Sequence, residues 1–557
     1  MSRRIRGQGT ERYNRTREPE YEDYEYNDRR IRRNVQQREK ALRRKKIKRS
    51  RRIGYILILI QLLISILFTG LLVYVNMLPT LYLVLAIAVL VILIFLIFVT
   101  QVSRKMRLPG KVISILLSVA LGFGSYYLAV TSGALAKITG GDIQTDKVSV
   151  IVLKDDPANS LSEVKDYPFG ICKTIDRKNT NKAIREIKKL TGTDISYTEE
   201  ADYPTTAEAL LNSSVKAIIF NEGQRTAIEE QYPDFSKKTK VITTFTFESR
   251  VSDGKDINVA REPFIVYLSG NDQTGEVAST GRTDVNICAV VNPKTKQVLL
   301  VSTPRDAYIP LYDPEEEVPD GSLDKLTHSG NFGIDVSMET LGHLYNTELD
   351  YYVTLNFTGF AKIVNALGGV EVDVESDFTS WDGYEYKKGL QILDGTYALN
   401  YARERHAFPD GDLARNRHQT QVLKSIINKI LSPAILNNYT KLMDSVSDAF
   451  RTSLTSSEIS DLVKMQLSDE AEWNIVSFNT LGQSSKDYTY SISSVPVDTV
   501  HLNGANVATA IDLIHGILNG KKYTQDAIDE KKKNDEKNNA IPEGSSLLDT
   551  DYYGNGQ

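Results

Sequence analysis

The chain has 557 residues, with 67 Lys and Arg against 71 Asp and Glu and a formal net charge of −4. That length excludes a single-domain protein and implies about three domains. The near-neutral total hides an asymmetry: residues 1–52 carry about +12, Arg104, Lys105, Arg107 and Lys111 add about +4, and everything from Lys137 onward carries about −20. A basic head and an acidic body separated by apolar segments are a membrane-topology signature. The two cysteines, Cys172 and Cys288, fall in different predicted domains, and no CxxC or nearby His accompanies either. They read as two unpaired thiols rather than a disulfide or a metal site.

Residues 1–52 are rich in Arg, Lys, Glu and Tyr and are expected to form a disordered, basic, cytoplasmic head. No apolar h-region opens the chain, so a cleavable signal peptide of ordinary form is not expected. Three uncharged runs follow within 53–133: Ile53–Val75, Leu81–Thr100 and Val112–Thr131. At 1.5 Å per residue, each spans about 30 Å, the thickness of the hydrocarbon core of a bilayer. Three such runs do not suit the core of a soluble protein. The loop Asn76–Thr80 is uncharged and suits the outside, whereas Ser103–Lys111 is basic and suits the inside. The expectation is a three-pass cell-membrane protein with its N-terminus cytoplasmic and residues from about 137 onward extracellular.

Residues 147–250 alternate strand and helix patterns. Val148–Leu153, Val215–Phe220 and Val241–Phe247 read as strands and Thr180–Leu190 as a helix, which implies a small α/β accessory domain. Residues 258–520 are read as one larger domain with a C-terminal extension. Within them Ser456–Lys464 and Val507–Leu518 read as surface helices. The tail 521–557 is Lys, Asp, Glu, Asn and Gly rich and is expected to be disordered.

The chemistry-bearing residues lie in this larger domain. Pro263–Leu268, Val285–Val291 and Val298–Val301 read as strands, with a turn at Asn292-Pro293-Lys294-Thr295. If consecutive strands are antiparallel neighbours, Asp272, Arg282, Asp284 and Arg305 converge at one sheet edge. Downstream, Arg403 and Arg405 stand two apart and share a face if that segment is extended. Asp412, Arg415 and Gln419 fall at i, i+3 and i+7 at the start of a helix, where backbone N–H groups favour an anion and Asp412 can act as N-cap. Guanidinium forks match phosphate oxygens, and two carboxylates at one edge can hold Mg²⁺, which takes oxygen ligands and bridges phosphates. An isolated Arg–Asp pair is more often a surface salt bridge; the convergence of several points to a polyanion.

The segments GRTD (281–284), PRD (304–306), NFTGF (356–360) with ALGGV (366–370), YARER (401–405) and D-x-x-R-x-x-x-Q (412–419) together resemble the LytR–CpsA–Psr family. The three spans and the accessory domain resemble its capsule-associated branch. The resemblance implies an α/β catalytic domain built as a three-layer αβα sandwich, with a mixed sheet and an apolar tunnel for a polyprenyl chain. Arg282, Arg305, Arg403, Arg405, Arg415 and Gln419 would contact a pyrophosphate at the tunnel mouth. Asp272 and Asp284 would hold Mg²⁺, and Asp412 would orient an arginine. The family pattern has an arginine where this chain has His418; Arg417 stands beside it as a possible substitute.

The implied activity is an Mg²⁺-dependent phosphotransfer. It would attach a polyprenyl-pyrophosphate-linked glycopolymer (capsular polysaccharide, exopolysaccharide or a teichoic-acid-like polymer) to peptidoglycan. Asp306 is a candidate general base, and His328 and His406 are weaker acid–base candidates. Gly368-Gly369 resembles a phosphate loop but reads better as a tight turn between a helix over Gly359–Leu367 and a strand over Val370–Val374. Two rival functions remain: a polyprenyl-pyrophosphate phosphatase, and a membrane-bound transcriptional regulator acting through the head. The head carries no DNA-binding motif, so contact with anionic lipid is the simpler role for its charge and nucleic acid is not the expected partner.

Overall fold

The computed structural model describes residues 18–103, 105–139, 143–250, 255, 257–271, 281–315, 318–431, 442, 450–469 and 471–538. The chain divides into two compact units, residues 1–74 with 80–126, and residues 75–79 with 127–557.

Three long helices open the chain: α1 (Glu18–Val75), α2 (Thr80–Thr100) and α3 (Arg107–Ile138). Each contains a stretch long and apolar enough to cross a membrane. A hydrogen bond of 2.7 Å from Ser114 to Gln61, both buried, ties α1 to α3 within the first unit. The disorder expected over residues 1–52 does not hold for the part described, because α1 runs unbroken from Glu18 into the first span. Arg, Lys, Glu and Gln are good helix formers, and a helix already nucleated by an apolar span needs only favourable propagation.

The accessory region is a five-stranded sheet. Its strands are β1 (Ile143–Leu153), β2 (Pro168–Cys172), β3 (Ser196–Glu200), β4 (Ala217–Asn221) and β5 (Thr239–Arg250), ordered β3-β2-β4-β1-β5. Helix α4 (Arg177–Thr191) buries Ala183 and Ile187 against Val148, Val150 and Val152 on one face of the sheet. On the other face, α5 (Tyr203–Leu211) and α6 (Arg225–Gln231) pack Ala207, Leu210 and Ile228 against Ile151, Ile218 and Phe220. The alternation of faces along β1 follows from the two-residue period of a strand. Cys172 and Cys288 are both buried free thiols, as expected.

The region over 258–520, which the resemblance implies to be catalytic, is organised around a mixed six-stranded sheet. Strands β6 (Phe264–Asn271), β7 (Thr283–Asn292) and β8 (Gln297–Ser302) are consecutive antiparallel neighbours. Beyond the short pair β9 (Tyr308–Leu311) and β10 (Ser322–Lys325) come helix α7 (Ile334–Tyr345) and strand β11 (Tyr351–Asn356), which joins β6 in parallel. Helix α8 (Phe357–Ala366) leads to β12 (Val370–Val374) through Gly368 and Gly369, both at positive φ. That linker is the tight turn read from the sequence, closed by Lys429 on the Gly369 carbonyl. After the small strands β13 (Phe378–Thr379), β14 (Glu385–Tyr386) and β15 (Gly389–Leu393) come α9 (Gly395–Arg403) and α10 (Asp412–Ile430). The sheet is completed by β16 (Phe450–Thr452) on β11 and, past α11 (Ser456–Asp469), by β17 (Asn474–Asn479) in parallel on β8.

Helices cover both faces of this sheet. Ile265, Tyr267, Cys288, Val290, Leu299 and Val301 point to one side, with Leu341 and Tyr345 of α7. Phe264, Val266, Ile287, Ala289, Val298 and Leu300 point to the other, with Leu423 and Ile427 of α10 and Ile459 of α11. The hairpin β18 (Gly482–Asp487) and β19 (Val497–Leu502) precedes α12 (Gly504–Leu518) and α13 (Gln525–Asn538). Two expectations are corrected here. The helix expected on the surface over 507–518 is a core helix: Leu513, Ile514 and Ile517 are fully buried against the sheet, each worth roughly 1.5–3 kcal/mol. Within the tail expected to be disordered from 521, Gln525–Asn538 form α13, because one apolar residue, Ile528, docks fully buried into the same core. A helix with a single apolar anchor leaves almost no periodic signal in its sequence.

Candidate active site

The strand directions create the site. β6, β8, β11 and β17 run the same way, so Asn271, Ser302, Asn356 and Asn479 end at the edge where Thr283 opens β7. Asp284 is the second residue of β7 and Arg305 follows β8 by three residues. Both side chains are about one-tenth exposed, and Arg305 Nη1 donates to Asp284 Oδ1 at 2.5 Å. The convergence inferred from strand order therefore holds for these two. Asp272, the other expected Mg²⁺ ligand, lies outside the described residues.

Helix α10 is held over this edge by its first turns. Asn416 bonds the hydroxyl of Ser302, and Thr420 donates to Asn479 at 3.1 Å. Gln419 Nε2 then reaches the backbone carbonyl of Asp284 at 3.3 Å. Arg415 is buried on the same face and is ion-paired with Asp412. The i, i+3, i+7 reading is thus correct in its face but not in its cap. The N-cap is Gly411, at φ +50°, and Asp412 is the first helical residue. Its carboxylate turns to Arg415 instead of to the backbone.

The electrostatics are those of buried arginines set among buried carboxylates. Burial works against a charge on Asp284, yet Arg305, Arg282 and Arg415 together hold its carboxyl below the usual range. Arg415 shows the opposite strain: burial and the like charge of Arg305 push it down to about 9. It is still protonated at neutral pH and is ion-paired with Asp412. Lys325 is ion-paired with Asp306 and is itself pushed down, chiefly by burial. Asp306 is buried, but Arg305 and Lys325 hold it ionised, well below the usual carboxylate range. A carboxylate clamped so firmly is a poor proton acceptor, which counts against Asp306 as general base.

The arginines of the YARER segment are arranged differently from the expectation. Arg403 is the last residue of α9, so it and Arg405 do not alternate along one extended segment. Arg403 is exposed with its guanidinium 4.8 Å from the centre of the Phe357 ring. Arg405 is half-buried beside His406, and its charge is felt at Arg415. Glu404 pins the loop by accepting from the backbone N–H groups of Trp381, His406 and Ala407 at 2.6–2.9 Å. Arg282 stands at the rim, bidentate to Glu230 of α6 at 2.8 and 2.9 Å.

His418 does not take the place of the family's arginine. Its ring is fully buried, 4.2 Å from Tyr401 and 4.9 Å from Phe408, and burial pushes its imidazole down to about 4. Arg417 does not compensate, since it pairs with Glu375 and Asp410. His328 is buried and engaged with Asp324 at 2.6 Å, a structural pair, while His406 is exposed 5.0 Å from Trp381. Sequence reasoning missed Lys325 and Glu230. Lys325 ends a four-residue strand without any pattern, and Glu230 belongs to the accessory region, where its partner is distant in sequence.

The LytR_cpsA_psr family model matches residues 218–504, more than half of the chain. A second model, for a DNA polymerase processivity factor, matches residues 104–220; it runs through α3 into the accessory sheet and assigns no activity here. The polyisoprenyl-teichoic acid–peptidoglycan teichoic acid transferase TagU of Enterococcus faecalis is 39% identical over 199 residues, 35% of this chain and 63% of that protein. The protein of the same name from Bacillus mycoides is 33% identical over 220 residues, 39% of this chain and 69% of that protein. The chain thus spans a little under two thirds of the first curated relatives it matches, at 63% and 64%. Among solved structures, B. subtilis TagV shares 25% identity with a TM-score of 0.38, covering 47% of this chain and 99% of that one. B. subtilis TagT shares 26% with a TM-score of 0.36, covering 48% and 97%. On the extent of the family match and the identity of these relatives, the chain belongs to the LytR_cpsA_psr family.

Proposed function

We propose that this protein is a membrane-anchored phosphotransferase that moves a glycopolymer from a polyprenyl-pyrophosphate carrier onto peptidoglycan outside the membrane. The observation that carries the reading is the cluster of buried arginines at the sheet edge. Arg305 and Arg415 are both buried at this edge, Arg305 on Asp284 and Arg415 on the helix whose Gln419 reaches the Asp284 carbonyl, so guanidinium donors converge where a polyanion would be held. The names of the TagU relatives supply the matching chemistry, a polyisoprenyl-linked polymer and a peptidoglycan acceptor.

In this reading the diphosphate lies over the N-terminal turn of α10. Arg305, Arg405 and Arg415 neutralise its oxygens, Gln419 fixes the helix to the strand bearing Asp284, and Arg282 and Arg403 approach from the rim. An acceptor hydroxyl attacks the sugar-proximal phosphorus, the bridging P–O bond breaks, and polyprenyl phosphate leaves while the hydroxyl proton passes to a base. The arginines stabilise the charge that builds up on the transferring phosphoryl group. Asp284, held ionised at this edge, has the donor chemistry for Mg²⁺, which takes one or two carboxylates plus phosphate oxygens. With Asp272 it would hold the ion, whose charge would offset that of the diphosphate. The apolar cluster of Tyr401, Val422, Ile426 and Ile363 begins within a turn of Arg403 and Gln419, and the prenyl chain would lie along it.

The basic head and the basic 103–111 loop support a cytoplasmic N-terminus with the large region outside. On intact protoplasts, added protease should therefore remove the region beyond residue 137. The decisive test supplies lipid-linked polymer with and without peptidoglycan. The transferase reading expects a covalent polymer–peptidoglycan product that depends on the acceptor. Release of polyprenyl phosphate with no linked product would replace this reading with the phosphatase one.

A further inference from the structure

We propose that Glu230, from the accessory region, is a positioning residue for the pyrophosphate pocket: its carboxylate aims the Arg282 guanidinium at the substrate. The proposal rests on the pyrophosphate reading above and assigns the accessory region a part in it.

The geometry is specific. Glu230 Oε1 and Oε2 accept from Arg282 Nη2 and Nη1 at 2.8 and 2.9 Å, an end-on fork that fixes the guanidinium plane. Arg282 is largely buried, whereas the Glu230 side chain is more than half exposed, so the carboxylate reaches in from outside. Glu230 is the penultimate residue of α6, the helix end that repels a negative charge, so the helix does not account for a carboxylate there. Arg282 does, and the charge of Arg305 is also felt at Glu230.

The backbone beside Arg282 is gripped by the same region. The Gly281 N–H donates to the Gly330 carbonyl at 2.9 Å, and a side chain at Gly330 would collide with the Gly281 carbonyl. The next two residues are both held by the accessory region. Asn331 accepts from Gln224, just before α6, at 2.9 Å in a buried contact, and Phe332 packs against the accessory core of Tyr203, Phe220 and Phe235. The accessory region therefore holds Arg282 twice, by its side chain through Glu230 and by its backbone through 330–332. Such support is what a binding guanidinium needs, because displacement by about 1 Å is costly at a reacting centre.

The test uses the detergent-solubilised full chain with farnesyl pyrophosphate and Mg²⁺, comparing Glu230→Gln, Glu230→Asp, Arg282→Ala and the Glu230→Gln/Arg282→Ala double variant. Glu230→Gln should raise KM about tenfold with a smaller change in kcat. Glu230→Asp, which keeps the charge, should recover part of the loss, and the double variant should be no worse than Arg282→Ala alone. A Glu230→Gln protein that loses melting temperature but keeps its KM would make the pair merely structural and overturn the proposal. So would a lower KM, which would make Glu230 a competitor for Arg282. A wild-type chain that neither binds nor cleaves the probe would remove the pyrophosphate reading, and this proposal with it.

Discussion

Replacing Asp284 by Asn separates what this carboxylate does for the fold from what it does for the substrate. Asp284 is about nine-tenths buried and 2.5 Å from Arg305, with Arg282 and Arg415 also acting on its charge. Removing one partner of a buried pair costs roughly 3–5 kcal/mol. Arg305 keeps Asp306 at 3.8 Å, so the lower end applies, about 3 kcal/mol. For a domain of this size, that corresponds to a fall in melting temperature of about 6 °C or somewhat more. The loss should be reversible by an anion. Inorganic pyrophosphate without metal should raise the melting temperature of Asp284→Asn more than that of wild type, because the variant pocket has lost a negative charge. With Mg²⁺ and a prenyl pyrophosphate, turnover should fall by about a hundredfold or more, equivalent to about 2.7 kcal/mol of transition-state stabilisation. Melts with and without pyrophosphate, together with rates across a Mg²⁺ titration, read both effects. A folded Asp284→Asn chain with the wild-type rate and metal dependence would refute the assignment. Equal pyrophosphate-induced shifts in the two proteins would refute the charge argument.

Arg405→Lys keeps the charge near Arg415 but loses the guanidinium fork; it should melt close to wild type and lose most prenyl-pyrophosphate binding. A ligand-induced rise in melting temperature equal to that of wild type would exclude Arg405 from the site. His418 gives a pH signature, because its folded value of about 4 lies below the ordinary value of about 6.5. Between those values the unfolded chain takes up a proton that the folded chain does not, so this contribution is fully present above about 6.5 and is lost as pH falls toward 4. The full effect is about 3 kcal/mol. His418→Phe should flatten the wild-type decline in stability over that window, and an unchanged slope would show that the imidazole is not buried as described.

The sheet edge was legible because strands declare themselves locally. Val285–Val291 and Val298–Val301 carry apolar runs separated by an Asn-Pro turn, and adjacent strands with a short turn pair antiparallel. From that alone, Asp284 and Arg305 had to meet. The i, i+3, i+7 spacing of Asp412, Arg415 and Gln419 likewise holds for any α-helix. What failed depended on context rather than period. YARER has no signal that distinguishes the last turn of a helix from an extended strand, so the ends of α9 were invisible. Gly411 caps α10 because the chain turns there at positive φ, a choice set by the preceding loop. The helical head and α13 were missed for a shared reason: polar, charged composition forbids a core but does not forbid a helix whose order is supplied by something attached to it.

The same distinction explains the unequal behaviour of the arginines. A motif records which residues travel together, not which of them share an environment. Arg305 and Arg415 are buried against Asp284, Asp306 and Asp412, and their charges are nearly matched without a ligand. Arg282, itself largely buried, is engaged from outside the cluster by Glu230, and the exposed Arg403 lies over the Phe357 ring. A diphosphate entering this site would therefore meet two kinds of cation. The inner pair, already ordered, offers fixed charge at little reorganisation cost, which is the condition under which electrostatics contribute most to a transition state. The rim pair must shift or share existing partners, so its contribution depends on how well those partners hold it. The accessory region controls one of those partners, which gives a physical reason for it to be joined to the catalytic region rather than tethered beside it.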